Sequence, residues 1–477
     1  MPTDQPSPER GHDVAPEPME ARTVPVSRRA LAIGICTTVV AIAFESIAVA
    51  TAMPVAAREL NGLDYYAWAF SLFLIGMLFA TVVTGRLSDR IGPGKPLFGG
   101  MAIFAVGLIV AGTAEHMLQL VAGRLVQGLG GGVMNTAAFV LIAHAFDAQQ
   151  RPRMFTYIST AWVLPAFVGP PISAWLTVTL SWHWVFFAVL PLIAFAAAVS
   201  TPTLLTLIKN FTPPPVRPDR PDPAPIWAAA VIAGSAAAIQ LAGQRLDLAA
   251  IAVFAAGLVG LLIALPRLMP AGFLRWRRGL PAVIWVRALL PGAFFGAESF
   301  LPLMLVEQRQ VPLVVAGAML TLGSVGWTTA AWLQSQTWLP IRRDRLITYG
   351  TLSVGLGIVV CVLVAVLPGL WFGGVGLGWI FAGFGMGLAT ASTGLAVMNL
   401  TPAAEQGRNG ASLNLGDALG SSIFVGISGS IFAALHGTGN LSLTFGVLLT
   451  TMVVVGLMAT ASSLRIGPVR DESSRRL

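Results

Sequence analysis

Long apolar runs recur along the whole 477-residue chain, and they constrain its fold more than any other feature. A helix that crosses a bilayer needs about 20 mostly apolar residues, and fourteen runs reach or approach that length. Backbone polar groups in lipid must be satisfied within the spanning segment, so runs of this kind form helices. The sequence therefore predicts an all-α polytopic membrane protein with fourteen transmembrane helices.

The composition excludes the water-soluble classes of protein. Hydrophobic residues make up 55% of the chain and charged residues only 10%, whereas a soluble domain carries about 25% charged residues. A soluble chain could not hide that much apolar surface, which excludes a soluble enzyme, a nucleic-acid-binding domain and a disordered protein. The two cysteines and five histidines lack metal-ligand spacing, and no nucleophile–base cluster appears. We expect no enzymatic activity, no metal, no cofactor and no nucleic-acid partner.

The spans form two sets of six with an insertion between them. We predict an N-terminal cytoplasmic tail (1–29), an N-terminal six-helix bundle (30–206), a cytoplasmic linker (207–282) that holds a transmembrane hairpin at about 226–243 and 249–266, a C-terminal six-helix bundle (283–464) and a cytoplasmic tail (465–477). The twelve bundle spans are predicted at roughly 30–54, 65–85, 96–114, 117–143, 154–180, 184–206, 283–306, 311–335, 346–367, 369–396, 411–434 and 440–464.

The basic residues indicate the orientation. With the N-terminus inside, 24 of the 29 Lys and Arg residues fall in inside segments, and only Arg58, Arg245 and Arg309 fall outside. Cytoplasmic loops carry such an excess of positive charge. We therefore expect a multi-pass protein of the plasma (inner) membrane with both termini in the cytoplasm.

Short matching strings indicate an internal repeat. Glu45-Ser46 in span 1 matches Glu298-Ser299 in span 7, and the acid-to-arginine string that ends at Arg151 matches the one that ends at Arg408. Both halves start on the same side, so the repeat is parallel. This arrangement predicts a substrate site between the halves near the middle of the membrane.

Three acids lie within the predicted spans, and each is a candidate functional residue. A charge at the helix centre costs about 2.5–3.5 kcal/mol, so Glu45, Glu298 and Asp417 should face a cavity or a partner. Counting residues places Glu45 and Arg124 at similar depths, which allows either a switchable proton-coupling pair or a static pair. Glu298 is the repeat mate of Glu45 and is predicted to contact substrate or protons. Asp417 stays uncertain between a functional role and a local role at the first turn of span 11.

Two strings carry a family resemblance. Gly85-Arg-Leu-Ser-Asp89-Arg90-Ile-Gly92 resembles the signature loop of the major facilitator superfamily, except that Pro-Gly-Lys follows where the family usually has Arg-Lys. A string around Arg124 is similar to the family's second motif, whose arginine is linked to proton transfer in exporters. The resemblance implies the major facilitator fold, with two six-helix bundles related as a parallel pseudo-repeat.

Three further strings resemble the fourteen-span drug:proton antiporters of that superfamily. Gly169-Pro170 in span 5 is similar to the antiporter motif, although the neighbouring glycines are replaced. The segments from Glu45 to Pro54 and from Trp182 to Phe186 resemble patterns of the same group. This resemblance implies a two-helix insertion and export driven by the proton gradient, without a cofactor.

The signature loop also has a physical interpretation. Asp89 can accept hydrogen bonds from the first turn of another helix, such as span 11, and Arg90 can hold an acid beside it. Such contacts would close the cytoplasmic side, which makes Gly85, Asp89, Arg90 and Gly92 a predicted gating loop. The alternative is a simple tight turn in which Gly92 supplies a positive φ.

Aromatic residues in the spans predict the chemistry of the cavity. An apolar, aromatic cavity suits hydrophobic or cationic compounds, and a nearby glutamate would attract a cation. Any one of these rings could instead face lipid or pack in the core. The predicted cavity residues are Phe44, Trp68, Trp162, Phe295 and Trp327.

These features predict a proton-coupled antiporter, acting as a monomer, that exports hydrophobic or amphipathic small molecules as in multidrug efflux. One alternative is an exporter of an endogenous metabolite or lipid on the same fold. Another is a membrane sensor or scaffold that does not transport. The sequence assigns no transport role to the extra hairpin.

Overall fold

The computed structural model describes residues 28–147, 149–211, 225–244, 247–336, 341–402 and 405–469. Within these ranges every regular secondary-structure element is a helix. Most of the predicted N-terminal tail, residues 212–224 and 245–246 of the linker, and residues 470–477 of the C-terminal tail lie outside the described residues. The helices, in chain order, are α1 (Arg28–Glu59), α2 (Trp68–Ile91), α3 (Gly94–Gly112), α4 (Met117–Ala145), α5 (Arg151–Thr179), α6 (His183–Phe187), α7 (Leu190–Lys209), α8 (Ile226–Ala242), α9 (Leu248–Leu268), α10 (Leu280–Glu298), α11 (Leu301–Glu307), α12 (Leu313–Leu333), α13 (Arg343–Val366), α14 (Gly374–Leu400), α15 (Gln406–Leu435) and α16 (Leu441–Ser463).

The described helices confirm the predicted all-α membrane architecture. Thirteen helical segments are long and apolar enough to cross a bilayer, and α6–α7 and α10–α11 each count as one of them. The remaining apolar helix, α8, has 17 residues, which is the lower limit for a spanning helix. The protein is therefore a multi-pass membrane protein.

The predicted span limits agree with the helices to within about four residues, except at four helix ends. Helices α1 and α2 end at Glu59 and Ile91, five and six residues beyond the predicted 54 and 85, because both continue through polar residues past the apolar run. Helix α15 begins at Gln406, five residues before the predicted 411, because its first turns are polar and apolar periodicity does not report them. Helix α14 begins at Gly374 rather than at 369, because Pro368 has no backbone N–H and the glycines that follow favour turns.

Helix packing repeats between the two halves of the chain. In the first half, α1 packs against α5 and α7, α4 packs against α2 and α3, and α3 packs against α7. In the second half, α10 packs against α15 and α16, α14 packs against α12 and α13, and α13 packs against α16. The pairs correspond one to one in chain order, as expected of a parallel repeat.

Glycines bring the paired helices close together. A Cβ atom on Gly128 of α4 would lie 2.1 Å from the carbonyl oxygen of Phe73 in α2, and one on Gly132 would lie 2.4 Å from that of Met77. Small residues at such contacts let helix backbones approach in lipid, where burial of apolar surface does not drive association. The α2–α4 contact fixes the position of Arg124, which lies one turn before Gly128.

The two ends of the bundle differ in charge. We call the end at which α1 begins the arginine-rich end and the other the opposite end. Arg58 and Arg309 lie at the opposite end. The described basic residues in loops and helix termini at the arginine-rich end are Arg28, Arg29, Arg90, Lys95, Arg151, Arg153, Lys209, Arg267, Arg275, Arg277, Arg278, Arg342, Arg343, Arg345, Arg408 and Arg465. Which end faces the cytoplasm stays a prediction.

Polar contacts between the halves are concentrated away from the arginine-rich end. At the opposite end, Arg58 of α1 forms an ion pair with Glu307 of α11, and the Tyr66 hydroxyl donates to the carbonyl oxygen of Ser299 over 2.8 Å. At mid-height the Ser324 hydroxyl donates to the carbonyl oxygen of Ala166 over 3.0 Å, which joins α12 to α5.

The extra hairpin, α8–α9, lies against the junction of the halves. Helix α8 packs against α2 of the first half and α15 of the second. Gln244, just after α8, donates to the carbonyl oxygen of Asp64 at the opposite end over 3.1 Å. At the arginine-rich end the Ser412 hydroxyl of α15 donates to the carbonyl oxygen of Leu268 in α9 over 2.6 Å. The hairpin is therefore attached to both halves.

Candidate functional site

The centre of the first half contains a buried ion pair. The guanidinium of Arg124 on α4 contacts the carboxylate of Glu45 on α1, and the two side chains are 1% and 0% exposed. The similar depths inferred from residue counting therefore correspond to a direct contact. Its part in proton coupling stays a prediction.

Arg124 is held by groups other than Glu45. Its Nε donates to the carbonyl oxygen of Ala69 over 2.7 Å, and its Nη1 donates to Oε1 of Gln127 over 2.7 Å. The guanidinium also lies over the ring of Phe73, 4.4 Å from the centroid. These contacts join α4 to α2 and fix the guanidinium in place.

Glu45 has no comparable support. Apart from Arg124, neither carboxylate oxygen has a hydrogen-bond partner among the described groups. A carboxylate removed from water is stable only when a charge or hydrogen-bond donors compensate it. Among the described residues, the charge of Glu45 is therefore compensated by Arg124 alone.

The second glutamate lies at a break in its span. Helix α10 ends at Glu298, and α11 begins at Leu301 after two residues of turn. Pro302 explains the break, because it lacks the N–H that would bond to the carbonyl oxygen of Glu298. Interrupted helices of this kind frame substrate sites in transporters. Glu298 is partly exposed, in contrast to the sealed Glu45.

An aromatic cluster surrounds the approach to Glu298. Phe294 stacks on Trp379 of α14 with centroids 4.6 Å apart, and it meets Phe295 and Trp327 edge-on at 5.3 and 6.1 Å. Trp379 is fully buried and lies beside Glu298. Two predicted cavity residues, Phe295 and Trp327, therefore lie together here, whereas Trp379 was not predicted.

The other three predicted cavity residues lie elsewhere. Phe44 is buried beside Glu45, Trp68 begins α2 near the opposite end, and Trp162 on α5 is 36% exposed. No ring contact joins any of them to the aromatic cluster within the described ranges. That all five residues line one cavity stays a prediction.

Asp417 pairs with a residue that the sequence did not assign to it. Its carboxylate lies 2.8 Å from Nη2 of Arg287 on α10. The predicted span limit placed Asp417 about six residues into span 11, whereas α15 begins at Gln406 and places it eleven residues inside. The alternative of an N-terminal dipole contact is thereby removed, since that effect falls off within the first turn.

Solved structures with a similar fold support the architecture. The crystal structure of peptide transporter POT in complex with sulfate superposes with a TM-score of 0.67, covering 91% of this chain and 95% of that chain at 16% identity. A POT family transporter in complex with 5-aminolevulinic acid gives a TM-score of 0.66 at 13% identity. At such low identity these structures show the fold alone.

The sequence profile of the Major Facilitator Superfamily matches residues 33–425. The chain belongs to the major facilitator superfamily. The profile covers both glutamates, the signature loop and the aromatic cluster. The predicted family and fold class are therefore confirmed.

Curated relatives from this superfamily are named as transporters rather than enzymes. Multidrug resistance protein 3 of Bacillus subtilis is 30% identical over 166 residues, which cover 35% of this chain and 32% of that protein. An Acurin A biosynthesis cluster MFS-type transporter of Aspergillus aculeatus is 32% identical over 183 residues, covering 38% and 32%. The matches thus span about a third of the length of these relatives.

Most of the superfamily signature string is helical, because α2 continues to Ile91, and only Gly92 forms the turn that follows. Gly92 ends α2 with φ of 80°, and a Cβ there would lie 2.8 Å from the ring of Phe211. Asp89 and Arg90 are exposed and form no hydrogen bond or ion pair with the described residues. Gly85 has open space around it. The predicted contact between Asp89 and span 11 is not made in this conformation, and the gating role stays a prediction.

The antiporter-like motif lies where three helices meet. The Cβ position of Gly169 on α5 lies 3.7 Å from Ile47 of α1, and the Ser173 hydroxyl donates to the carbonyl oxygen of Ala48 over 2.6 Å. The carbonyl oxygen of Pro170 lies 3.1 Å from the Cβ position of Gly317 on α12. The motif therefore joins the helix that carries Glu45 to the other half of this superfamily member.

Proposed function

We propose that the chain is a proton-coupled antiporter that exports hydrophobic or amphipathic small molecules across the plasma membrane by alternating access. It acts as a monomer, is driven by the proton gradient and uses no cofactor. The observation that carries the proposal is the Glu45–Arg124 pair, sealed inside a half whose partner half carries the partly exposed Glu298.

The proposed proton-coupling step follows from the unequal numbers of contacts that hold Arg124 and Glu45. A proton taken up by Glu45 removes its charge, while Arg124 keeps its bonds to Ala69 and Gln127 and its contact with Phe73. Only the attraction between α1 and α4 changes. Because α1 also contacts α11 and α12 of the other half, a change in this attraction reaches the junction between the halves.

The cargo side of the proposal rests on the aromatic cluster. Phe295 and Trp327 are the partly exposed rings of this cluster, and its buried member Trp379 lies beside Glu298. A planar cation can stack on the rings while its charge approaches the carboxylate. Loss of its water shell is offset by these contacts, which suits bulky hydrophobic cations.

The closed opposite end supports the proposed direction of transport. With both termini in the cytoplasm, the contact between Arg58 and Glu307 lies at the outer surface, and the arginine-rich end faces inward. The conformation is then inward-facing, ready to take cargo from the cytoplasm or the inner leaflet. Protons from outside would enter after the outer contacts separate.

The deciding experiment measures efflux of a fluorescent cation, ethidium, from proteoliposomes under an imposed pH gradient. Wild-type protein is expected to drive efflux that an uncoupler abolishes. Glu45→Gln is expected to lose the response to the gradient. Glu115→Gln is the matched control, because Glu115 is an exposed glutamate in the loop between α3 and α4 of the same half. Efflux that ignores the uncoupler, or is unaffected in Glu45→Gln, would contradict the proposal.

A second candidate function is export of an endogenous metabolite. It is favoured by the name of the Acurin A biosynthesis cluster relative, which ties that transporter to a biosynthetic product. Comparing metabolite accumulation in a deletion strain with drug sensitivity would separate the two. Accumulation without any change in drug sensitivity would favour the metabolite.

A further inference from the structure

A second membrane-embedded polar site lies between α10 and α14, toward the arginine-rich end. Arg287 and Pro291 of α10 line a narrow crevice there with Thr390 and Thr393 of α14. The site lies below the aromatic cluster on the same two helices. It is separate from the Glu45–Arg124 pair, which belongs to the first half.

Two buried hydrogen-bonding groups at this crevice have no partner. Among the described residues, Nε of Arg287 and the hydroxyl of Thr390 are buried with no hydrogen-bond partner. The carboxylate of Asp417 contacts Nη2 of the same guanidinium. Buried polar groups are nearly always satisfied, so two orphaned donors at one crevice need an explanation. The crevice holds no space for a water molecule in this conformation, which excludes solvent as their partner here.

Arg287 at this crevice lies on the same face of α10 as Glu298. Arg287 and Glu298 are eleven residues apart on α10, which is about three turns and about 16 Å, so both lie on one face of the helix. Phe294 lies on the same face between them. Trp379 and Thr390 of α14 show the same spacing. Rings and a carboxylate therefore lie at one end of a continuous strip, and a guanidinium with a hydroxyl lies at the other.

We propose that Arg287 and Thr390 bind a carboxylate group of the cargo, so that the transported class includes amphiphiles with an aromatic or basic body and a carboxylate. This inference rests on the proposed export function. Carboxylates are the natural partners of guanidinium groups, which present several N–H donors in a planar fork. Asp417 orients the fork through Nη2 and leaves the Nε edge for the cargo.

The crevice has a built-in means of widening. Pro291 lies one turn after Arg287, and it supplies no N–H to the carbonyl oxygen of Arg287. Helices bend at such positions, because the missing hydrogen bond leaves the two segments free to tilt. A small tilt of α10 at Pro291 moves Arg287 relative to Thr390 and admits the carboxylate.

The test compares two rhodamine dyes that differ only in methylation of the benzoate carboxyl group. Initial rates of dye transport by wild-type protein and two variants are measured in proteoliposomes. Thr390→Val removes the hydroxyl and keeps the side-chain shape, and Arg287→Lys keeps the charge opposite Asp417 while removing the fork. Each variant is expected to raise KM about tenfold, or about 1.4 kcal/mol, for the free acid, and to leave KM for the methyl ester within about twofold.

Thr393→Val is the matched control. Thr393 lines the same crevice, but its hydroxyl already donates to the carbonyl oxygen of Thr390 over 2.8 Å. It should leave the ratio of the two KM values unchanged. A shift in that ratio equal to the shift in Thr390→Val would overturn the inference, because it would indicate general disturbance of α14.

The remaining outcomes separate the inference from the proposed function. Equal effects of Thr390→Val on both dyes, or transport of only the ester by wild-type protein, overturn the carboxylate site and leave export intact. Transport of neither dye, together with no ethidium efflux, overturns both. Selective loss of the free acid in Thr390→Val and Arg287→Lys, with normal ester transport, supports the site.

Discussion

Among single residues, the members of the buried pair differ in how much they depend on each other. Arg124 is held by the carbonyl of Ala69, the amide of Gln127, the ring of Phe73 and the carboxylate of Glu45. Among the described residues, Glu45 is held by Arg124 alone. Removing Arg124 therefore leaves an uncompensated carboxylate, whereas removing the charge of Glu45 leaves an arginine with three other contacts.

This asymmetry predicts unequal losses of stability. Breaking a buried ion pair by removing one partner costs about 3–5 kcal/mol, and we expect Arg124→Gln to reach that range. Glu45→Gln should cost less, and the double variant should be more stable than Arg124→Gln alone. Thermal unfolding of the purified protein in detergent measures all three. Equal losses for the two single variants would show that the extra contacts of Arg124 contribute little.

A second residue-level prediction concerns Trp379. Indole gives the strongest cation–π attraction among the aromatic side chains, worth about 0.5–2 kcal/mol. Trp379→Phe should therefore raise KM for a cationic dye about two- to fivefold and leave a neutral dye unaffected. Trp371→Phe is the control, because Trp371 is 67% exposed in the loop before α14. The same effect in both variants would remove Trp379 from the cargo site.

Residue-level reasoning from sequence found one pair and missed another for a physical reason. Glu45 and Arg124 each interrupt a long apolar run, so counting residues fixes their depth. Arg287 lies near the edge of a predicted span. Whether it lies at the same depth as Asp417 depends on how far α15 extends beyond its apolar part. Trp379 reaches Glu298 because Gly323 of α12 leaves room for its indole, 2.5 Å from the Cβ position. That is a packing relation between distant segments.

At the level of helices, close approach through glycine positions the site. The Arg124 guanidinium contacts Phe73 because Gly128 brings α4 against α2. Gly131 lies on another part of the same helix, where the nearest atom to its Cβ position, on Phe104, is 3.6 Å away. The close helix contact therefore requires glycine at position 128 but not at position 131.

The matched pair of glycines gives a direct test. Gly128→Ala should destabilise the protein by about 1–3 kcal/mol through overpacking and should impair transport by displacing Phe73 from Arg124. Gly131→Ala should be neutral or slightly stabilising, because alanine favours the helix. Thermal unfolding and efflux rates of the two variants provide the comparison. Similar behaviour of the two would contradict the close-packing account.

Sequence predicted the helices better than their interruptions. Apolar runs indicate directly which residues face lipid or the protein core, so most predicted span limits were accurate to within a few residues. The break after Glu298 was missed because the run from 283 to 306 stays apolar across it. Pro302 was the available signal, although Pro54 and Pro291 lie inside α1 and α10 without ending them. Proline alone therefore does not decide whether a span breaks.

For the whole molecule, the ion pair between Arg58 and Glu307 contributes to closure of the opposite end. The two side chains are 47% and 21% exposed, and pairs of this kind are worth about 0.2–1 kcal/mol. The pair therefore adjusts the balance between two conformations rather than locking one.

Arg58→Gln should shift that balance toward opening of the opposite end by about fivefold at most. Distances between spin labels placed on the two halves at that end measure the populations. Arg28→Gln is the control, because the pair of Arg28 with Asp147, at 2.5 Å, lies within one half. An equal shift in the control would indicate a general effect of lost charge.

The attachment of the hairpin makes the two seams between the halves mechanically unequal. The α5–α12 seam consists of two helices, whereas α8 lies across the α2–α15 seam and is tied at one end to each half. When one half tilts, the α5–α12 seam can open by separation of its two helices. Opening of the α2–α15 seam also requires α8 to move with one half and to slide against the other. The cleft between the halves should therefore open more widely along the α5–α12 seam than along the α2–α15 seam. Bilayer lipids should reach the open cleft along the α5–α12 seam, which α8 does not cover.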